Sequence, residues 1–166
     1  MQVADWIAEV SRGGKVCGGY MRKISIASGR GEMFRVLCDA NGGAWVFGLH
    51  ASGMYVPVSE FAEEYARYIN GGRVVEYPEG YTSKFYCRYS GDLSADTTLV
   101  YVMESDVSVE VPENRFPTVF LSSGSRARFA IGNNARLVIE AYGDAWFDVS
   151  GDTRHVSVRR DGEWER

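Results

Sequence analysis

The sequence predicts an α+β protein: an N-terminal, mainly helical head over residues 1–79, packed on a C-terminal all-β repeat array over residues 80–166. Three observations carry that prediction. Apolar residues recur at helical spacing as far as Pro78-Glu79-Gly80, period-two alternation replaces it afterwards, and a five-residue phrase then repeats. With 166 residues, 45% of them hydrophobic, the chain is expected to form one compact unit with the two parts sharing an interface.

The head reads as helices stopped by glycines. Val3, Trp6, Ile7 and Val10 lie at i, i+3, i+4 and i+7, one apolar stripe that ends at Gly13-Gly14. A second helix is expected over about residues 30–40, where Met33, Val36, Leu37 and Ala40 share a face before Asn41-Gly42-Gly43. Trp45 to His50 fits strand or helix equally. The clearest helix follows Val56-Pro57-Val58: Ser59 caps it, Glu60, Glu63 and Glu64 load its first turns with negative charge, and Phe61, Tyr65, Tyr68 and Ile69 form its buried stripe. Asn70-Gly71-Gly72 closes it.

The tail repeats the wording Ala-x-apolar-x-apolar at Ala127 to Ile131, Ala135 to Ile139 and Ala145 to Val149. Val107 to Val111, Thr118 to Leu121 and His155 to Val158 share the alternation, and Gly124, Gly132-Asn133-Asn134, Gly143-Asp144 and Gly151-Asp152 separate the segments. Short strands at this spacing build a sandwich, a barrel or a small solenoid. Hairpins across Gly-Asn and Gly-Asp would give an antiparallel sandwich or meander. Each phrase begins small and ends large, an order that hairpins would reverse and parallel stacking keeps, so a short two-sided parallel β-solenoid is preferred. The expected stack aligns Val107 with Ala127 and Ala145, Val109 with Phe129 and Phe147, and Val111 with Ile131 and Val149. Leu137, Ile139, Val119, Leu121, Val156 and Val158 line the opposite wall. The head is expected to cover the open end of the first coil.

Chemistry-bearing motifs are sparse. His50 and His155 stand in no metal-ligand spacing, and no phosphate-cradling loop occurs; Gly29-Arg30-Gly31 lacks the third glycine of a dinucleotide fingerprint. No Gly-x-Ser-x-Gly elbow is present, and Ser122-Ser123-Gly124-Ser125 reads as a turn. Carboxylates for sugar chemistry could come from Glu104, Asp106, Glu110, Asp144, Asp148 and Asp152, but the separation that chemistry needs is spatial. Asp144 and Asp152 read as solvated turn residues rather than calcium ligands. Cys17, Cys38 and Cys87 form no Cys-x-x-Cys pair and read as buried thiols. Neither cofactor nor metal is expected. Charged residues make up 24% with a formal net charge of -4, which argues against nucleic acid as the partner. The start has no leader pattern and no stretch is long and apolar enough to span a membrane, so a cytoplasmic protein is expected.

The surface that invites a binding hypothesis is the outer face of the repeat, where Arg126, Arg128, Arg136 and Trp146 alternate with buried positions and Arg128 is expected beside Trp146. Tyr142 and Trp164 are further exposed aromatic candidates. Arg and Trp are enriched at binding hot spots, so this face is expected to take a protein partner or a second copy of the chain, with a glycan as the alternative and a small hydrolase third.

The order of Tyr68-Ile69-Asn70-Gly71, Gly80-Tyr81-Thr82-Ser83 and Ala141-Tyr142-Gly143-Asp144-Ala145 resembles that of uncharacterised bacterial proteins, some carried by phages or other mobile elements, in which a helical head precedes a short β-repeat tail. That resemblance implies a binding or assembly role and no activity.

Overall fold

The computed structural model describes residues 74–76 and 79–165, together with Arg22 and Ile26. The helices expected over residues 3–10, 30–40 and 59–69, the ambiguous run Trp45 to His50, Gly29-Arg30-Gly31, Cys17 and Cys38 lie outside the described residues. The described residues correct the α+β assignment. They form eleven strands and one 3-10 turn, Thr153–His155, with no α-helical element among them. Apolar spacing reports a local face, whereas the secondary structure seen here is set by pairing between distant segments. Val74–Glu76, on the head side of the expected boundary, is itself a strand, as its two adjacent β-branched valines favour.

The strands are β1 Val74–Glu76, β2 Thr82–Cys87, β3 Ser90–Ser94, β4 Leu99–Met103, β5 Asp106–Val111, β6 Thr118–Leu121, β7 Arg126–Ile131, β8 Leu137–Ala141, β9 Trp146–Gly151, β10 Val156–Arg160 and β11 Glu163–Trp164. The even-numbered strands stack in parallel in one sheet, A, flanked by β1 and β11 in the order β1-β2-β4-β6-β8-β10-β11, and β3, β5, β7 and β9 stack in parallel in that order in the other, B. The described residues form a β-solenoid of about four two-strand coils. The antiparallel sandwich is excluded, because Ile131 pairs with Val111 and Gly151 in parallel neighbours rather than across its own turn. Among the described strands only β1 on β2 and β11 on β10 run antiparallel, one at each end of sheet A.

The inner walls close on a common core. Sheet A contributes the row Val100, Val119, Ile139, Val158 and sheet B the row Val109, Phe129, Val149, each in register from coil to coil. All three expected columns of this wall shift at β9. Phe147 stands beside Ala127, Val149 beside Phe129 and Gly151 beside Ile131, so Phe129 does not meet Phe147. Arg126 pairs with Asp106 on one side and Trp146 on the other, a coil of 20 residues. Aligning Ala127 with Ala145 assumed a shorter coil and mixed two kinds of alanine. Ala127 is a wall position, whereas Ala135 and Ala145 sit at corners, where their amides close turns onto Gly132 and Tyr142. A corner holds a small side chain because two sheets converge there, and Ser105 and Ser125 fill the equivalent places, both buried.

Coils approach closely at two glycines. A Cβ on Gly151 would stand 2.2 Å from the carbonyl oxygen of Ile131, and one on Gly132 would stand 2.7 Å from the amide nitrogen of Glu113. Gly124 also has positive φ, but a Cβ there would meet nothing within 4 Å. Gly124→Ala is therefore expected to cost only the left-handed backbone penalty, about 1 kcal/mol. Gly151→Ala must also push β9 off β7 and should cost several times more. Urea titrations of the two variants compare them directly; equal midpoints would show that the coil spacing at Gly151 is not fixed by backbone contact.

Candidate functional site on the outer face of sheet B

Outward positions of sheet B form rows that run along the solenoid axis: Ser90, Asp106, Arg126, Trp146, then Asp92, Ser108, Arg128, Asp148, then Ser94, Glu110, Ala130, Ser150. Period-two alternation places them there, since Val107, Val109, Ala127 and Phe129 between them point into the core. The Arg126 guanidinium carbon lies 4.9 Å from the Trp146 ring centre, and that of Arg128 lies 5.6 Å from it. Arg126 is thus the in-register partner of the indole, and Arg128 reaches it diagonally. Arg128 also binds the Asp106 carboxylate at 2.9 Å; both side chains are about half exposed, so this pair adds roughly 0–1 kcal/mol.

The remaining candidates part company with this cluster. Arg136 stands at a corner over the exposed ring of Phe116, 5.7 Å away. Tyr142 is half-buried at the opposite end of the coil, and burial, followed by the nearby Glu140 carboxylate, raises its phenol pKa. Trp164 folds back on the last coil in β11, with Arg159 5.6 Å from its ring.

A feature that sequence reasoning missed lies beside the Arg126–Trp146–Arg128 stack. An open groove of about 790 Å³ crosses β3, β5, β7 and β9, with Ala130, Gly132 and Gly151 among its lining and Asp92, Glu110 and Arg128 at its sides. It exists because small residues stand in register with larger ones, and a small outward residue gives no signal in a sequence. Asp92 and Glu110 make no ion pair among the described residues.

The acidic turns have a different task from the solvated one expected. Asp144 accepts hydrogen bonds from the Ser123 hydroxyl and, at 2.8 Å, from the Gly124 amide of the preceding coil. Asp152 accepts from the Asn134 amide at 3.0 Å and from Arg154, and Asp161 accepts from the Gly143 amide at 2.9 Å. Each carboxylate satisfies a turn amide one coil back. Among the described residues no group of three or more potential metal ligands converges. Glu104 is paired with Arg88 at 3.0 Å. His155 is exposed in the 3-10 turn, and Cys87 is a buried thiol whose pKa burial pushes up to about 12, leaving it protonated and unreactive at neutral pH.

Among the described residues no helix is long and apolar enough to cross a membrane. No protein-family model, curated protein or solved structure matches the chain.

Two outcomes follow from this geometry. A double-mutant cycle on Arg126→Ala and Trp146→Ala, read by urea denaturation, should give a coupling of about 0.5–1 kcal/mol, with zero coupling showing that the stack is not populated in solution. The Ser123 hydroxyl and Gly124 amide hold the Asp144 pKa below its ordinary value, and Arg154 and the Asn134 amide do the same for Asp152. A lowered folded-state pKa contributes stability above the unfolded value, roughly 3.9, that is lost as pH falls through the folded value. The melting-temperature gap between the wild type and Asp144→Ala should therefore be constant above about pH 5 and shrink below about pH 4. A gap independent of pH down to 2.5 would mean that the Asp144 contacts do not depend on its charge.

Proposed function

We propose that this chain is a non-enzymatic interaction module that takes a protein partner along the outer face of sheet B. The observation that carries the reading is the open groove of about 790 Å³ running across all four coils beside the Arg126–Trp146–Arg128 stack. An extended segment laid along the solenoid axis would meet one outward row from each coil, on strands whose positions are already held by the ladder, so little ordering cost remains on this side of the complex. The carboxylates of Asp92 and Glu110, without an ion-pair partner among the described residues, favour a segment carrying Lys or Arg. Arg and Trp are the residue types that dominate binding energy when a partner desolvates them.

A sugar is the weaker candidate, because sugars stack on an open aromatic face and two guanidiniums already lie over the Trp146 ring. Self-association is a further form of the same reading: β3 and β9 are edge strands of sheet B among the described residues, and an edge strand offers backbone groups to another chain. The likeness in feature order to phage-borne and mobile-element proteins also favours binding or assembly over catalysis.

Affinity capture with quantitative mass spectrometry tests the proposal by comparing the wild type with two variants verified as folded by circular dichroism, Arg128→Glu combined with Trp146→Ala, and Ala130→Trp, which fills the groove. A discrete partner is expected with the wild type and should fall roughly tenfold or more with each variant, the loss that removing about 1.4 kcal/mol produces. Capture that neither variant alters would reject this face. Glycan-array binding lost on Trp146→Ala would replace the protein partner with a sugar, and light scattering that finds only copies of the chain would make the face a self-association surface.

A further inference from the structure

Each sheet of the solenoid has two end strands, and among the described residues every end but that of β9 is blunted. Sheet A is closed by β1 on β2 and by β11 on β10, both antiparallel. On sheet B the Asp106 amide binds the Tyr89 carbonyl, so the Asp92 carbonyl of β3 faces the open edge, and there it accepts a hydrogen bond from the Tyr89 hydroxyl at 3.1 Å. β9 has no such cover. No described strand pairs with its second edge.

The hydrogen bonds of β9 to β7 fix what that edge offers. Trp146 and Asp152 donate their amides to the Ser125 and Ile131 carbonyls at 2.9 and 3.0 Å. Alternate residues of a parallel strand face the same neighbour, so Trp146, Asp148 and Ser150 face β7, while the amides and carbonyls of Phe147, Val149 and Gly151 point the other way. Just ahead of them the Arg160 guanidinium takes up the Gly143 and Ala145 carbonyls at 2.9 and 3.1 Å. The core is open at the same place. Phe147 and Val149 are half-buried beside the buried Ala127 and Phe129, and across the core Val156 and Val158 are half-buried beside the buried Leu137 and Ile139. On the outer side Asp148 is exposed and makes no ion pair among the described residues, its in-register neighbour Arg128 binding Asp106 instead.

We infer that β9 takes up an extended segment of a partner protein as an added strand of sheet B. Each part of the site has its counterpart in such a strand. The edge-facing amides and carbonyls bind its main chain, Phe147 and Val149 take its alternate apolar side chains, and Asp148 selects Lys or Arg on its other face. A second solenoid stacked in line does not fit. In the register that the ladder keeps, Asp92 of that copy would stand beside Asp148, and β11 together with the copy's β1 would lie between the two A sheets while the B sheets touched. A single strand meets neither obstacle. The site is the edge of sheet B, so it can be tested separately from the groove on the outer face.

The test pans a phage-displayed library of random linear peptides against the full chain and reads the footprint of the selected peptide by amide hydrogen exchange. In the free chain the Phe147, Val149 and Gly151 amides should exchange well ahead of those of Trp146, Asp148 and Ser150, and the peptide, an alternation of apolar and basic residues, should slow the first three. Val149→Pro removes an edge-facing donor and no ladder bond, so it should weaken the peptide about tenfold or more. Asp148→Lys, an exposed change, serves as the second variant should the first unfold, and Ala130→Trp in the groove should leave the peptide bound. The inference is overturned by edge amides already slow in the free chain, by a selection without alternating sequences, or by binding indifferent to both edge variants. Protection that rises with protein concentration alone would make the occupant a second copy and overturn it equally.

Discussion

The parallel backbone ladder between coils is the constraint from which the other features of the described fold follow. Once Asp106 is beside Arg126 and Arg126 beside Trp146, each position in a coil has a neighbour of the same structural kind in the next coil, 20 residues on here and 16 or 19 elsewhere, and its side chain must suit that neighbour. Corners require small residues, hence Ser105, Ser125 and Ala145. Close approach at a strand end requires a hydrogen atom where a Cβ would stand, hence Gly151 against the Ile131 carbonyl. Turns leave amides that the ladder does not use, and a carboxylate from the next coil takes each of them up, as Asp144, Asp152 and Asp161 do. The wall tolerates exchange in size between adjacent columns: Ala127 and Phe129 in one coil stand beside Phe147 and Val149 in the next.

That constraint also explains what could be read from the sequence and what could not. Strands β5, β6 and β7 alternate cleanly between buried and more exposed positions, so their existence, their inward residues and their parallel stacking were legible. The register was not, because a repeated alanine can be a wall residue at Ala127 or a corner residue at Ala145, and wording does not distinguish them. Strands β2 and β4 obscured their own pattern. Phe85-Tyr86-Cys87 and Leu99 to Met103 are apolar on both faces, which erases the alternation, and their coil is shorter, with Ser83 beside Leu99. The helical head was inferred from spacing alone, and the described residues are strands from Val74 onward. Of the candidate site, the Arg and Trp residues were legible as outward members of alternating strands. Arg136 and Tyr142 were not separable from them, because only the corner positions reveal that they face elsewhere. The groove was invisible, since Ala130, Gly132 and Gly151 matter there for the space they leave.

The two outer faces divide the burdens of the solenoid. Sheet A is finished at both ends by an antiparallel strand, β1 and β11, which ends parallel addition there. Its outer face is apolar where the chain enters and becomes an ion-paired, polar surface by the fourth coil. Sheet B has no antiparallel cap among the described residues, and its outer face carries the groove and, between β7 and the edge strand β9, the Arg–Trp stack.

An asymmetry of this kind is informative because the ladder alone does not demand it. A solenoid needs inward apolar rows and small corners; it places no requirement on outward residues beyond solubility. Two guanidiniums on one exposed indole, and carboxylates a few residues away with no ion-pair partner among the described residues, lie outside what the backbone needs. The Glu140–Arg159 pair on the opposite sheet shows the contrast, since there a charged outward residue is buried and matched by its coil neighbour. On sheet B the charges of Asp92 and Glu110 are not matched within the described fold, so their interaction energy is still available to a partner. Exposed groups held in place by a rigid ladder and not satisfied by it are the physical content of a binding face.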